Sequence, residues 1–110
     1  FFGPGIATHL NAGLVPVRKA GKLPWQTISQ SYALEYGEAT IELHRDAVQS
    51  GERVLLVDDV LATGGTLNAT KKLVERLGGN VFGAACFLEL GFLNGRTNLN
   101  PLVIESLWRL

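Results

Sequence analysis

Methionine is absent from this sequence, and cysteine occurs only once. A translation product starts with methionine, and this chain opens in mid-hydrophobic sequence at Phe1-Phe2-Gly3, so the 110 residues are read as a fragment of a longer protein. A lone cysteine forms no internal disulfide. Cys86 lies in the apolar run Ala84-Ala85-Cys86-Phe87-Leu88 and reads as a small buried hydrophobe, not a catalytic thiol. A reducing, cytoplasmic setting follows as the default. Surplus charge is lacking as well. Ten basic and ten acidic residues are mixed along the chain, which argues against a broad nucleic-acid surface and a polybasic membrane anchor. Apolar runs stay short of the roughly 18 residues that a transmembrane helix needs. Phe1-Phe2-Gly3-Pro4-Gly5 carries neither the charged leader nor the cleavage site of a secretory signal. The expectation is a protein with no nucleic-acid and no membrane partner.

What is present suffices for a core. Hydrophobic residues make up 46% of the chain, and its length suits one compact domain over residues 1–110. Ile6, Ala7 and Leu10 recur at helical spacing and predict a short helix over residues 3–11. Leu14-Val15-Pro16-Val17 predicts a short strand, which Pro16 confines to an edge or an interrupted ladder. Residues 18–31 lack apolar periodicity and contain Gly21, Pro24 and three cations, so a long loop is expected, of a length that is often functional. Tyr32, Leu34 and Tyr36 alternate with Ala33, Glu35 and Gly37; after a turn near Gly37-Glu38 the alternation resumes at Ile41 and Leu43. That pattern predicts a hairpin with one buried face.

Arg53-Val54-Leu55-Leu56-Val57 is the continuous run of a parallel strand covered on both faces. Ala69, Thr70, Leu73, Val74 and Leu77 mark one face of a helix over residues 66–77, closed by Gly78-Gly79. A second buried strand over residues 81–88 completes a right-handed βαβ unit. Asn94-Gly95 signals a turn before the final segment. His9 and His44 lack metal-ligand spacing.

The chemistry concentrates in residues 54–66, Val54-Leu55-Leu56-Val57-Asp58-Asp59-Val60-Leu61-Ala62-Thr63-Gly64-Gly65-Thr66. A buried strand ends in two adjacent carboxylates, and a small glycine-rich loop leads on into a helix. In open α/β sheets ligands bind beyond the carboxyl ends of the strands. Gly64 and Gly65 let the backbone approach an anion closely. Free amides at the helix start, with the hydroxyls of Thr63 and Thr66, suit a phosphate. Asp58 and Asp59 repel a phosphate; their natural partners are hydroxyls or a divalent cation carried with the ligand. A ligand bearing a phosphate, a diol and magnesium would use every part of the loop. The plainer alternative is a capped helix with solvated acids before it. No Gly-Lys-Ser/Thr follows the glycines and no Gly-x-Gly-x-x-Gly is present, so neither a Walker loop nor a dinucleotide fingerprint applies.

The segment Asp58 to Thr66 resembles the phosphoribosyl pyrophosphate signature of type I phosphoribosyltransferases. Val17-Arg18-Lys19-Ala20-Gly21-Lys22-Leu23-Pro24 resembles the start of the mobile loop in the adenine phosphoribosyltransferases, and Tyr32-Ala33-Leu34-Glu35-Tyr36-Gly37 its return. Phe92-Leu93-Asn94-Gly95-Arg96 is similar to a C-terminal element of the same family. The resemblance implies an α/β fold, a parallel sheet flanked by helices, with the family's N-terminal strands and base-recognising hood missing. It implies a mobile catalytic loop and hairpin over residues 18–37 and a phosphoribosyl pyrophosphate motif over residues 54–66. Asp58 and Asp59 would hold the ribose hydroxyls, and Ala62, Thr63, Gly64, Gly65 and Thr66 the 5-phosphate. Arg18, Lys19 and Lys22 would face pyrophosphate. Glu35 would move a proton at the purine, and Tyr36 would help close the loop; the plainer alternative for Glu35 is an exposed strand residue.

The implied reaction is a glycosyl transfer of purine salvage: phosphoribosyl pyrophosphate and adenine give AMP and pyrophosphate, with Mg2+ as cofactor. The partners implied are those small molecules and, in the intact protein, a second copy in a homodimer. The family's Glu-x-Arg-Gly turn, whose arginine contacts pyrophosphate, is missing, and Gly91 stands where a proline is common. The isolated chain is therefore expected to be weakly active or inactive. Two alternatives are a non-catalytic regulator or ligand-binding module of the same fold, and another purine phosphoribosyltransferase.

Overall fold

The computed structural model describes residues 13, 15, 17–19, 26–34 and 37–110. It contains two three-stranded sheets with a helix between them. The antiparallel sheet comprises β1 (Arg18–Lys19), β2 (Thr27–Leu34) and β3 (Gly37–His44), in the order β1-β3-β2. The central strand, β3, buries Ile41, Glu42 and Leu43 in succession. The helix expected over residues 3–11 lies outside the described residues.

Three sequence expectations change here. Val15 and Val17 belong to no strand, and among the described residues pairing starts at Arg18; a proline has no N–H for a ladder. Residues 18–31 are not one long loop, because β1 and the first half of β2 fall within them. In β2, Ile28, Gln30 and Tyr32 are half-buried while Ser29 and Ser31 are exposed. Gln30 stands where an apolar residue would have revealed the period, and the β3 ladder supplies the hydrogen bonds that polar residues need to stay extended. The return strand also begins earlier than expected. Leu34 pairs with Gly37 and Ala33 with Glu38, so Gly37 and Glu38 belong to the strand.

The parallel sheet comprises β4 (Arg53–Leu61), β5 (Asn80–Glu89) and β6 (Ile104–Arg109), in the order β4-β5-β6. Helix α1 (Gly65–Arg76) connects β4 to β5, giving the expected βαβ unit. Its buried stripe, Leu67, Thr70, Leu73 and Val74, packs between the two sheets, touching β2 and β3 on one side and β4 and β5 on the other. Leu73 is wholly buried, a gain of about 2 kcal/mol over an exposed leucine. The helix ends as its Gly-Gly pair dictates. The Gly78 amide donates to Glu75 O at 3.0 Å and the Gly79 amide to Val74 O at 3.0 Å, a Schellman closure that needs the left-handed Gly78 (φ +89°).

The aliphatic run predicts that β4 is covered on both faces, and the structure departs from this. Leu56 and Leu61 are buried, but Val54, Leu55 and Val57 are half-buried and Val60 is exposed. Phe87 on β5 and Leu107 and Trp108 on β6 are exposed too. Among the described residues α1 is the single helix longer than four residues, and one helix covers one face of a sheet. Cys86 is buried as expected. A 3-10 turn (Gly91–Leu93) and a short helix, α2 (Gly95–Asn98), lie between β5 and β6. Asn94-Gly95 thus makes a turn-to-helix junction, with Asn94 left-handed at φ 57°.

Candidate functional site

Asp58 and Asp59 do not follow β4; they are part of it, since pairing with β5 runs from Arg53 to Leu61. Successive side chains of a strand point to opposite sides. Asp58 is half-buried and Asp59 is exposed, and the Asp59 amide donates to Asp58 Oδ1 at 2.7 Å. Beyond Leu61 the chain leaves the sheet as Ala62-Thr63-Gly64 and enters α1. Gly64 is the helix N-cap at φ 89°, ψ 2°, a conformation that L side chains rarely take. A Cβ there would also come within 3.0 Å of Gly95 O.

The first-turn amides of a helix lack intrahelical acceptors and carry partial positive charge. In α1 no side chain caps them and no acid stands in the first turn, so they are available to an anion. Gly65 lies beneath the Tyr32 ring, where a Cβ would meet Cδ2 at 3.2 Å. The Thr66 hydroxyl donates to Tyr32 Oη at 3.1 Å.

These residues line one cavity of about 620 Å³. Its lining combines Asp58, residues 60–67, and Tyr32, Ala33 and Leu34 of β2. Asp58, Ala62, Thr63, Gly64, Gly65 and Thr66 are thus brought together, whereas Asp59 is not among the lining residues. Arg18 and Lys19 form β1, which β3 separates from β2. Lys22, Glu35 and Tyr36 lie outside the described residues. Burial pushes the Asp58 carboxyl above the usual aspartate range; the Asp59 amide opposes this in part, and the Asp59 charge adds to it. Asp58 has no ion-pair partner among the described residues. A carboxylate that has lost water without gaining a cation is set to accept hydrogen bonds from ligand hydroxyls.

The model of the phosphoribosyl transferase domain family matches residues 1–98. The chain belongs to the phosphoribosyltransferase family. It is 54% identical to the adenine phosphoribosyltransferase of Koribacter versatilis over 106 residues, 96% of this chain and 58% of that protein. With the enzyme of Salinispora tropica the identity is 62%, over 93% of this chain and 54% of the other. The crystal structure of adenine phosphoribosyltransferase from Thermoanaerobacter pseudethanolicus superposes with a TM-score of 0.96 at 52% identity, covering 99% of this chain and 63% of that one. The Saccharomyces cerevisiae enzyme, solved with adenine and an imino-altritol bisphosphate, gives 0.91 at 43% identity, over 96% of this chain and 60% of that one. The chain therefore spans somewhat over half the length of the relatives it matches.

Two features of this phosphoribosyltransferase domain carry no expectation from the sequence. Alternation places Tyr32 on a strand face, but nothing in its neighbours announces that its hydroxyl meets Thr66. Glu89 stands inside the run Phe87-Leu88-Glu89-Leu90, where an acid in an otherwise apolar strand is the signal that could have found it. It is 2% exposed. Arg96 donates to it through Nη2 at 2.7 Å and Nε at 3.1 Å, and the Ser106 hydroxyl donates at 2.9 Å. The Arg96 hydrogen bonds hold the Glu89 carboxyl below the usual glutamate range, against the opposing effect of burial.

Proposed function

We propose that the protein transfers the 5-phosphoribosyl group of phosphoribosyl pyrophosphate to adenine, giving AMP and pyrophosphate. The observation that carries this reading is the cavity that joins Asp58 to the phosphate loop over residues 62–67. The relatives add support. The Saccharomyces cerevisiae structure contains adenine, and a Trypanosoma brucei one contains AMP, pyrophosphate and ribose-5-phosphate.

In this reading the amides of Gly64 to Thr66 and the hydroxyls of Thr63 and Thr66 hold the 5-phosphate. Asp58 and Asp59 take the ribose hydroxyls. Positive charge builds on the ribose as the bond from its anomeric carbon to pyrophosphate breaks and the bond to the purine nitrogen forms. A negative Asp58 close to the sugar stabilises that charge electrostatically, and the held phosphate fixes the ring for in-line attack. Arg18, Lys19 and Lys22 receive pyrophosphate; Glu35 moves the purine proton and Tyr36 closes the loop. Base choice rests on the relatives.

Magnesium fits as an ion that travels with the ligand. The described residues hold no group of three or more His, Cys, Asp or Glu side chains that could cage a metal. Magnesium is commonly held by one or two carboxylates together with phosphate oxygens; Asp58, which lines the cavity, offers one carboxylate, and pyrophosphate oxygens would supply the rest. Bound there, it would neutralise pyrophosphate charge. A homodimer and a cytoplasmic setting belong to the same reading; no described helix is long and apolar enough to cross a membrane.

The test is Asp58→Asn with Asp59→Asn in the full-length protein. Turnover should fall by about 100-fold or more, with an unchanged circular dichroism spectrum. Wild-type rates in the double variant would remove the assignment of these acids to the ribose.

A further inference from the structure

The motif Phe92-Leu93-Asn94-Gly95-Arg96 has no part in the reaction just described, yet the segment it opens presses on the phosphate loop. The Asn98 side-chain amide donates to Thr63 O at 2.7 Å. Because the partner is a carbonyl, the amide must present its NH2 there. Gly95 is buried against the same loop: a Cβ on it would lie 2.3 Å from Ala62 O and 2.9 Å from the Leu61 side chain. From the other side, a Cβ on Gly64 would meet Gly95 O at 3.0 Å and Leu99 at 3.4 Å. Residues 62–64 therefore have one wall made by Gly95, Asn98 and Leu99.

That wall is itself fixed. Arg96, between Gly95 and Asn98, makes its paired bonds to Glu89 on β5 and donates through Nη1 to Ile104 O at 2.7 Å. A continuous path runs from the sheet through Arg96 to α2, and from Asn98 to the Thr63 carbonyl. That carbonyl must turn away from the cavity if the following amides are to point into it, because an inward carbonyl oxygen would repel a phosphate.

We propose that Asn98 is a positioning residue for the phosphate loop: its amide holds the Thr63 carbonyl outward, so that the amides of Gly64 to Thr66 converge on the 5-phosphate. This rests on reading the loop as the 5-phosphate site. Asn98 is exposed, so its loss strands no buried polar group and the fold should persist.

The test uses the full-length protein and its Asn98→Ala and Asn98→Asp variants. Each is titrated with ribose 5-phosphate and AMP, assayed at steady state and melted without ligand. Losing one hydrogen bond that fixes the loop should weaken ribose 5-phosphate and AMP by about tenfold and raise KM for phosphoribosyl pyrophosphate alike. KM for adenine should stay within about twofold, and Tm within about 2 °C. Aspartate, which has no NH2 to donate, should do no better than alanine. Wild-type affinity for ribose 5-phosphate in Asn98→Ala would overturn the proposal. So would a general loosening, in which Tm, kcat and both KM values worsen together. If the unmutated protein binds neither ribose 5-phosphate nor AMP, the functional reading fails first, and the proposal with it.

Discussion

Two acids on neighbouring strands of one sheet have opposite fates. Glu89, on β5, is 2% exposed and receives hydrogen bonds from Arg96 and Ser106. Asp58, three residues before the end of β4, is half-buried and among the described residues has only the Asp59 amide as a hydrogen-bond donor. The protein lowers the pKa of the more buried acid and raises that of the less buried one. Burial alone would raise both. Partners make the difference. Glu89 is satisfied within the fold; Asp58 lines the cavity and, in the proposed reading, is completed by the ligand. Perturbed groups in clefts mark functional sites, while equally perturbed groups in closed networks mark frames.

The sharpest way to break this contrast is to make Glu89 resemble Asp58. Arg96→Ala leaves a buried carboxylate with Ser106 and the more distant Arg109, whose Nε is 3.8 Å away. Removing one partner of a buried pair costs about 3–5 kcal/mol. Arg96 is 41% exposed, so water can enter in its place, and about 3 kcal/mol is expected. Urea denaturation of the full-length variant measures it, with an unchanged slope showing that the native state stays compact. A loss under about 1 kcal/mol would make the pair an ordinary surface bridge.

Glu89→Gln should cost less, about 2 kcal/mol at neutral pH: its carbonyl can still accept from Arg96 Nη2 and Ser106, while its NH2 forfeits the bond that Arg96 Nε makes to the carboxylate. Its pH dependence follows from the depressed carboxyl. The stability that Glu89 contributes is fully present above the unfolded value of about 4.3 and is lost as pH falls through the lower folded value. The gap between wild type and Glu89→Gln should therefore be flat from neutrality to about pH 5 and close under more acid conditions. A gap that is the same at every pH would show that the charge on Glu89 is not what stabilises the segment.

The contrast also explains which parts of the molecule the sequence exposes to reading. The βαβ unit and its loop are legible because local pattern and final structure agree. Aliphatic runs make β4 and β5, the stripe Ala69-Thr70-Leu73-Val74 makes α1, and Gly78 ends it in the left-handed backbone region that the closure requires. Asp58 and Gly64 announce themselves by residue type in a short window. Strand β2 is hidden because its partner, not its own composition, keeps it extended. The pairings of Glu89 with Arg96, Thr63 with Asn98 and Thr66 with Tyr32 bridge 7, 35 and 34 positions. No periodicity encodes such contacts; they join side chains from separate elements of the folded chain.

The smallest expected effect runs against intuition, since it predicts a gain. Asp58 ionises less readily in the folded chain than in the unfolded one, mainly because it is partly desolvated. At neutral pH its charge therefore works against folding. Asp58→Asn removes the charge, keeps the shape and should stabilise the full-length protein, by about 0.5 kcal/mol or less because the group remains partly in water. The sign reverses the Glu89 case: the folded state holds the Asp58 proton more tightly, so acidification favours folding of the wild type. The advantage of the Asp58→Asn variant should be present at neutral pH and shrink as pH falls through the raised folded value towards the ordinary aspartate value of about 3.9. Paired thermal melts of wild type and variant at several pH values would show it. If the variant is instead destabilised at neutral pH, the carboxylate already has a stabilising partner in the fold. Asp58 would then be a second Glu89, and its reservation for a ligand would fall.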